Sequence, residues 1–517
     1  MFGINFDSGM WSLFYLMLEI LAVVSAIHAI WFVRTSQAAV AWVVGLLVFP
    51  LAAVPLYWVF GRYRFYGYRE ALREVGQKHK TSVGAINREL RTGRNVQTTP
   101  LQTPLEQLAD VLDTPLSSGN RFRLLVDGQA FYDALIQAIE SAERYLYLEF
   151  YTVRCDACGN RLAEALIAKS QQGVVVRMLY DEVGSMSLSN SYVQRLTEAG
   201  VEVWSFNTRQ GIFNRFQINF RNHRKLLVVD GSVALVGGLN VGDEYLGKAR
   251  WLTHWRDTAV EMHGPIARKV QAVFAGDYYW AARRDLPEAN WSVPVLRPAT
   301  KTAPESEESL GTQAVTAIES TANPADKQPH ALLHVGRGAV CATGPADDRP
   351  RATMMFVAAA GTARRRLWIS TPYLVPDETS MVALSMARAR GVDVRILVPS
   401  VADVWPVFLA GLHYEQEMLA ADIPVYRYAH KVMMHQKSVL VDDKMVLIGS
   451  TNLDVRSLHL NFELMVAIED ASLVAEMIEV MESDFAVARL SRGDAVPGQR
   501  WLTPVGRVIA RLFSPVL

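Results

Sequence analysis

The sequence contains little cysteine, with three residues in a chain of 517. This number excludes a disulfide framework as the basis of the fold. Cys155 and Cys158 form a CxxC pair, but only Cys341 remains to complete a site, and a structural zinc ion takes four ligands. We therefore interpret the pair as ordinary loop cysteines, and we predict no metal and no cofactor.

An excess of charge of either sign is also missing. Lys and Arg together number 52, as do Asp and Glu, and 50% of the residues are hydrophobic. This composition excludes a disordered chain and gives no sign of the basic surface that nucleic acids require, so we predict no nucleic-acid partner. It still allows a locally positive cleft for an anionic substrate. The length predicts two or three domains.

Two long apolar runs, residues 11–33 and 38–60, lie near the N-terminus. Each has the roughly 20 residues that a helix needs to cross the ~30 Å hydrocarbon core of a bilayer. The first run lacks the basic start and the cleavage site of a signal peptide. We predict a two-helix transmembrane hairpin, with Trp31, Trp42, Tyr57 and Trp58 at the interfaces. A pair of buried core helices is the alternative.

Positive charge flanks the two runs unequally. Arg34 alone lies between them, whereas six basic residues follow the second run: Arg62, Arg64, Arg69, Arg73, Lys78 and Lys80. The positive-inside rule then places both the N-terminus and everything after residue 61 in the cytoplasm. Glu19 and His28, inside the first run, are assigned no catalytic role.

An internal repeat occupies the rest of the chain. The string HRKLLVVDGSVALVGGLN from His223 aligns without a gap with HQKSVLVDDKMVLIGSTN from His435, which lies 212 residues later. Upstream, GVVVRMLYD from Gly173 matches GVDVRILVPS from Gly391. Each copy has an Ala-rich helical stretch, a glycine and a β-branched strand. We therefore predict an α/β fold in which each half is one domain-sized unit.

Polar stretches suggest where these units begin and end. We predict an anchor over 1–66, a juxtamembrane linker over 67–120, a first half over 121–300 and a second half over 331–517. Residues 301–330, rich in Ala, Thr, Glu, Ser and Pro, form a polar linker between the halves. Residues 501–517 alternate basic and apolar residues, as in a short amphipathic helix that lies on the membrane or packs on the folded domain.

The repeated motif is His-x-Lys-x4-Asp, and its spacing suits catalysis. On a strand, residues two apart project from the same face, so each His and Lys can enter one cleft together. The candidate catalytic residues are His223, Lys225, Asp230, His435, Lys437 and Asp442. The aspartates, five residues beyond each Lys, face the opposite way, which favours a bracing role over a chemical one.

Two such motifs contain the groups that phosphoryl transfer needs. One His attacks phosphorus to form a phosphohistidine, and the other protonates the leaving alcohol. The lysines, with Asn240 and Asn452, offset the charge on the phosphate oxygens. Each His also needs an acceptor for its second nitrogen. Asp257, 34 residues after His223, and Glu463, 28 residues after His435, are the candidates.

These residues resemble the phospholipase D superfamily, whose signature is HxKxxxxD followed by GSxN. The second copy fits fully and includes Ser450, whereas the first has Gly238 in place of the serine. Long strings such as LYWVFGRYR, FRNHRKLLVVDG, STPYLVPD and STNLDVRSLHLNFE are similar to bacterial cardiolipin synthases. The resemblance implies two pseudo-symmetric α/β halves that share one active site, with phosphate contacts from four residues: Gly238, Asn240, Ser450 and Asn452.

The resemblance also implies an activity and a place. The expected reaction joins two phosphatidylglycerols into cardiolipin and releases glycerol, at the bacterial inner membrane, in a multi-pass protein whose catalytic part is cytoplasmic. By the family pattern His223 is the nucleophile, although the reverse assignment stays open. Tyr373 either lines the site or packs beside it. A phospholipase D that hydrolyses phospholipids to phosphatidic acid is the main alternative; a nuclease and an inactive scaffold are weaker ones.

Overall fold

The computed structural model of the chain describes residues 8–61, 64–65, 67–70, 102–207, 219–248, 254–291, 334–428 and 432–493, and positions 506, 508, 510 and 511. The predicted polar linker over 301–330 lies outside these residues, as does most of the predicted C-terminal helix. The division of the chain at residues 120, 300 and 330 stays a prediction.

Three apolar helices open the described chain: α1 (Ser8–Phe32), α2 (Ser36–Val48) and α3 (Pro50–Phe60). Among the described residues, one helix, Trp11–Phe32, is long and apolar enough to cross a membrane. Residues 38–60 do not form the one continuous helix that the second span was predicted to be, because the helix breaks at Phe49; a second crossing of the membrane stays a prediction. Pro50 has no N–H with which to continue the α2 hydrogen-bond ladder, and it begins a new helix instead.

In its described residues, the first half consists of nine strands and their helices. Its elements are α4 (Pro104–Val111), β1 (Ser117–Val126), α5 (Asp127–Glu140), β2 (Tyr145–Phe150), α6 (Ala157–Gln171), β3 (Val175–Asp181), α7 (Asn190–Glu198), β4 (Glu202–Phe206), β5 (Arg221–Asn222), β6 (Leu226–Val229), β7 (Val233–Gly237), a 3-10 helix (Asp243–Leu246), β8 (His254–Arg256), β9 (Thr258–His263) and α8 (Pro265–Ala282). Helix α4 lies within the segment predicted to be a juxtamembrane linker, and its Leu105 and Leu108 are buried in the second half's core.

The second half repeats this order with local differences. Its elements are β10 (His334–Thr343), α9 (Arg351–Thr362), β11 (Arg366–Ser370), β12 (Leu374–Val375), α10 (Glu378–Ala389), β13 (Asp393–Val398), α11 (Trp405–Ala420), β14 (Val425–Arg427), β15 (Val432–Met434), β16 (Ser438–Val441), β17 (Met445–Gly449), β18 (Leu453–Asp454), α12 (Val455–His459), β19 (Asn461–Glu469), α13 (Ala471–Val487) and β20 (Arg489–Leu490). Asp377 caps α10 and Asp470 caps α13, since each carboxylate accepts a backbone N–H of the first turn.

One mixed sheet runs through both halves. Its order is β4-β3-β2-β6-β7-β9-β1-β10-β19-β17-β16-β11-β13-β14-β20. Strands β2, β3 and β4 pair in parallel, as do β11, β13 and β14, whereas β1 and β10 join the halves in an antiparallel pair. The two wings therefore follow the same order outward from the β1–β10 seam, and the predicted α/β fold of two pseudo-symmetric halves is confirmed.

The helices bury apolar faces on both sides of this sheet. The strands β2, β6, β16 and β17 have no exposed residue, which is expected for strands covered on both faces. Phe65 and Tyr68, just after the anchor, are buried among Phe220, Trp280 and Phe462. This aromatic cluster fixes the end of the anchor against the junction between the halves, next to the first histidine motif.

Candidate active site

The two histidine motifs lie at equivalent places in the sheet. His223 and Lys225 connect β5 to β6, and His435 and Lys437 connect β15 to β16. Strand β7 ends at Gly237 and β17 ends at Gly449, so the Gly-x-x-Asn segments turn at the same edge. All four motif side chains are largely buried, and each motif brings its His and Lys to the same place, as their spacing predicts.

Each motif is held by backbone from the opposite half. Strand β5 pairs in parallel with the start of β19, and the His223 N–H donates to the Phe462 carbonyl at 2.9 Å. Strand β15 pairs in parallel with β8, and the His435 N–H donates to the Arg256 carbonyl at 2.8 Å. The residue after each of these carbonyls is one of the two predicted orienting carboxylates.

The carboxylates are therefore exchanged between the halves. His223 Nδ1 lies 3.0 Å from both Oε1 and Oε2 of Glu463, and His435 Nδ1 lies 2.8 Å from Oδ2 of Asp257. The structure does place both carboxylates on the histidines, but the pairing of each one with the histidine of its own half is wrong. It fails because the parallel β5–β19 and β8–β15 pairings cross between the halves.

Asp257 and Glu463 are structural equivalents. Gly237 of β7 lies opposite Ala259, and Gly449 of β17 lies opposite Met465, so each carboxylate is two residues before its glycine's partner. The Ser450 hydroxyl donates to Glu463 Oε2 at 2.5 Å. At Gly238 a Cβ atom would collide with the Asp257 carboxylate. The missing serine of the first copy thus leaves room for the shorter carboxylate.

The two lysines and three aromatic rings complete the surroundings of the histidines. Lys225 Nζ donates to the His223 carbonyl at 2.6 Å, and Lys437 Nζ lies 2.6 Å from Nδ1 of His435. Tyr151 is edge-on to His223 at 5.0 Å between ring centroids, and Lys225 Nζ lies 5.4 Å from the centre of the same ring.

Aromatic residues also stand beside the second histidine. Tyr373 is edge-on to His435 at 6.5 Å between centroids, and Trp255 lies at 4.8 Å. Tyr373 is thus next to the site, as one of the two readings of the sequence had it. Tyr151 and Trp255 were missed. Comparison of the segments after β2 and β11, each of which carries a tyrosine soon after the strand, would have suggested Tyr151.

Burial sets the protonation states of the site. It lowers the pKa of His223 to about 4, although the charge of Glu463 acts in the opposite direction. Burial also lowers the pKa of His435, and the charge of Lys437 adds to this effect. Burial lowers the pKa of Lys437 to about 8 and raises that of Asp257 to about 6. Burial would also raise the pKa of Glu463, but the hydrogen bond from His223 and the charge of Lys225 outweigh it, and this pKa is lowered.

The two motif aspartates lie away from the histidines. Asp230 and Asp442 have positive φ angles of 51° and 53°, in turns at the far ends of β6 and β16. Their carboxylates accept backbone N–H groups: Glu143, Arg144 and Tyr145 for Asp230, and Arg364, Arg365 and Arg366 for Asp442. The prediction that includes these two aspartates among the catalytic residues is therefore corrected, because the structure places them where they brace the turns.

The predicted phosphate-binding residues have partners of their own. Asn240 Oδ1 accepts the Thr152 N–H at 3.1 Å, and its Nδ2 donates to the Tyr245 hydroxyl. Asn452 Nδ2 donates to Asp454 at 3.0 Å. Both amides are buried after the strands that carry Gly237 and Gly449. Their contact with phosphate, and that of Ser450 and Gly238, stays a prediction.

A buried polar network lies behind the first motif. Arg224, between His223 and Lys225, points the other way and donates to both Asp277 oxygens, at 2.7 and 2.5 Å. The Tyr68 hydroxyl donates to the same carboxylate. Asp277 thereby links the chain just after the anchor to the first histidine motif.

Known proteins resemble this chain over almost its whole length. A family described as "Cardiolipin synthase, PLD-like domain" matches residues 135–278 and 356–485. A cardiolipin synthase A of Pseudomonas putida is 37% identical over 509 residues, 97% of each chain. One from Pseudomonas aeruginosa is 38% identical over 508 residues, 97% of this chain and 95% of the other.

A solved structure shares the fold. The phosphatidylserine synthase of Haemophilus influenzae superposes with a TM-score of 0.57 at 17% identity, over 80% of this chain and 100% of the other. The two matched family segments lie one in each half of the sheet, and each contains one histidine motif.

Proposed function

Because the chain belongs to the cardiolipin synthase family of the phospholipase D superfamily, we propose that it transfers a phosphatidyl group from one phosphatidylglycerol to another. The products are cardiolipin and glycerol. The observation that carries this proposal is the pair of largely buried histidines, each with its Nδ1 on a carboxylate of the opposite half. That arrangement suits a nucleophile and an acid acting on one phosphate.

His223 is the proposed nucleophile. Its lowered pKa keeps the imidazole neutral at neutral pH, and the lowered pKa of Glu463 keeps that carboxylate ionised. With the Nδ1 proton donated to Glu463, Nε2 carries a lone pair and can attack phosphorus. The phosphorus–nitrogen bond forms while the bond to the glycerol oxygen breaks. Glu463 then stabilises the positive charge on the ring of the phosphohistidine.

His435 is the proposed proton carrier. Burial and the charge of Lys437 lower its pKa, and an anionic phosphodiester would offset both effects by favouring the protonated ring. His435 gives its proton to the glycerol oxygen as that group leaves. It then takes the proton from the hydroxyl of the second phosphatidylglycerol, whose oxygen attacks phosphorus and frees His223.

The proposed phosphate site is positive and dry. Lys225 and Lys437 are almost fully buried beside the histidines, where a cation stabilises the developing charge more strongly than it would in water. Asn240 and Asn452, buried at equivalent positions, are proposed to complete the site together with Ser450 and the backbone at Gly238. Phospholipids are the substrates of this family, and their phosphodiester is the anion that such a site would bind.

The protein is proposed to work at the bacterial cytoplasmic membrane. The family acts on membrane lipids, and the apolar α1 is consistent with insertion. We place the catalytic halves in the cytoplasm, because the basic residues next to them, among them Arg64 and Arg69, favour that side.

A donor with an activated leaving group would test the histidine roles. A phosphatidyl ester of p-nitrophenol needs no proton to release its alcohol, so His435→Asn should still form the covalent intermediate and then hydrolyse or transfer it slowly. Peptide mass spectrometry should find the phosphatidyl group on His223. His223→Asn should form no adduct. An adduct on His435 in the His223→Asn variant would reverse the assignment.

The lipid products would test the activity itself. Purified enzyme in phosphatidylglycerol vesicles should produce cardiolipin and glycerol in equal amounts. Phosphatidic acid as the main product would instead establish a hydrolase.

A further inference from the structure

Helices α2 and α3 form a tight antiparallel hairpin. A Cβ on Gly45 would lie 3.9 Å from that of Ala53, and the rings of Trp42 and Tyr57 are 5.3 Å apart. In one continuous helix residues 45 and 53 would be about 12 Å apart. The chain therefore reverses at Phe49, and both ends of the hairpin lie at the same level.

The hairpin packs along the C-terminal part of α1. Tyr57 Oη lies 2.5 Å from Nδ1 of His28, and the Trp58 indole N–H donates to Ser25 Oγ at 3.0 Å. Ser25 and His28 of α1 thus find partners inside the anchor, where water is scarce. These contacts fix the ends of α3 and α1 side by side.

Both ends of the hairpin face the catalytic halves. Arg34, just before α2, has Nη2 3.8 Å from Oδ2 of Asp377. Arg34 and Arg64, which follows α3, line the same cavity of about 170 Å³, together with His459 of the second half. The connection between α1 and α2 is therefore on the side of the catalytic halves. A hairpin of two full spans would instead require this connection to be on the opposite side of the membrane.

The lengths of the helices agree with this geometry. Helix α2 has 13 residues and α3 has 11, about 20 and 17 Å, which is too short for a hydrocarbon core of ~30 Å. In α1, by contrast, Trp11 and Trp31 stand about 30 Å apart along the axis. Two exposed tryptophans at that spacing match the two interfaces of a bilayer.

The tip of the hairpin is suited to hydrocarbon. Val48, Phe49 and Leu51 are exposed by 59%, 70% and 63%, and none of the three is polar. The turn also leaves few backbone groups unpaired, since the Phe49 N–H donates to Gly45 and its carbonyl accepts from Ala53. Pro50 brings no N–H at all. A chain reversal inside the bilayer requires that few backbone polar groups lack a hydrogen bond.

We propose that α1 crosses the membrane once, and that α2 and α3 enter and leave the single leaflet that faces the catalytic halves. The acyl chains of that leaflet are the partner of the hairpin surface. The N-terminal end of α1 then lies on the opposite side of the membrane from the active site, in place of the cytoplasmic N-terminus predicted from the sequence. Residues 1–10 contain no Lys or Arg, whereas Arg34, Arg64 and Arg69 all lie on the catalytic side, as the positive-inside rule requires.

This inference rests on the membrane location proposed above, and a labelling experiment separates the two. Ser8→Cys and Ser36→Cys mark the two ends of α1, and Phe49→Cys marks the tip. Each is made in the full chain with Cys155→Ser, because Cys155 is exposed while Cys158 and Cys341 are buried. The wild-type Cys155 marks the catalytic side. A membrane-impermeant maleimide is applied to vesicles of each orientation.

The expected result is that Ser36→Cys reacts in the same vesicles as the wild-type Cys155, and Ser8→Cys only in those of opposite orientation. Phe49→Cys should react in neither before detergent is added. Reaction of Ser36→Cys on the side opposite to Cys155 would establish two full crossings and overturn the proposal, as would reaction of Phe49→Cys without detergent. Release of the wild-type protein by alkaline carbonate would instead refute the membrane location itself.

Discussion

At the residue scale, the two orienting carboxylates differ in chemistry as well as in length. Glu463 is stabilised in its ionised form by His223, Lys225 and Ser450, whereas burial raises the pKa of Asp257 to about 6. Two histidines with the same local motif therefore have different partners. The difference suits two separate roles, because a nucleophile and an acid need to be tuned apart.

These pKa values predict a bell-shaped pH dependence of kcat/KM. Below pH 6 Asp257 gains a proton and no longer accepts from His435; above pH 8 Lys437 loses its proton and its charge. The value of kcat/KM should be highest near pH 7. It should fall roughly tenfold per pH unit below the pKa of Asp257 and above the pKa of Lys437. Lys437→Arg, which stays charged, should shift the alkaline limb upward. An unchanged alkaline limb in that variant would assign it to another group.

Gly238→Ser tests the room that Asp257 needs. The substitution restores the family signature, but its Cβ would push into the carboxylate that holds His435. We expect activity to fall by about 10- to 100-fold, because a small displacement of a catalytic group has an effect of this order. Gly361→Ser, at a helical position with open space around it, is the matched control and should keep full activity. Equal activity of the two variants would contradict the assignment.

At the element scale, the motif aspartates join each catalytic strand to the turn beside it. Asp442 sits at a positive φ and accepts three successive backbone N–H groups at the start of β11. Asp442→Ala should lower the free energy of unfolding by about 2–4 kcal/mol, because three backbone N–H groups lose a charged acceptor. Asp442→Asn, which keeps an acceptor and tolerates this backbone conformation, should lose about half as much or less.

Thermal unfolding of the purified protein in detergent measures both variants. Asp443→Ala is the control, since its ion pairs with Arg365 and Arg366 are on the surface and contribute at most about 1 kcal/mol. The folded fraction of Asp442→Asn should retain most of its activity. A well-folded but inactive Asp442→Asn would give the aspartate a chemical role.

The sequence predicted the local geometry of the motifs better than their long-range partners. The same-side placement of His223 and Lys225 follows from strand spacing, and the duplication predicted the two-half sheet. The pairing of His223 with Glu463 spans 240 residues and depends on how β5 meets β19, which no local pattern records. Hydropathy likewise detected the apolar run of residues 38–60 but is blind to the reversal at Phe49.

At the scale of the whole molecule, the halves are joined by a sheet as well as by the chain. Strand β1 of the first half pairs with β10 of the second, and β5 and β8 of the first half pair in parallel with β19 and β15 of the second. A protease site inserted within residues 301–330 should therefore allow a nick without separation. We expect the two fragments to elute together in size-exclusion chromatography and to keep most of the activity. Separation of the fragments on nicking would contradict this, and an uncut sample with the same insertion is the control.

The exchange of carboxylates between the halves also limits how such a gene can be inherited in pieces. Recombination that replaced one half with that of a distant relative would leave each histidine with a foreign acceptor, because His223 depends on Glu463 and His435 on Asp257. A recombinant enzyme works only if the new half supplies a carboxylate that fits the histidine of the old half, and a histidine that fits the old half's carboxylate. The two halves must therefore be inherited together, and a change in one requires a matching change in the other.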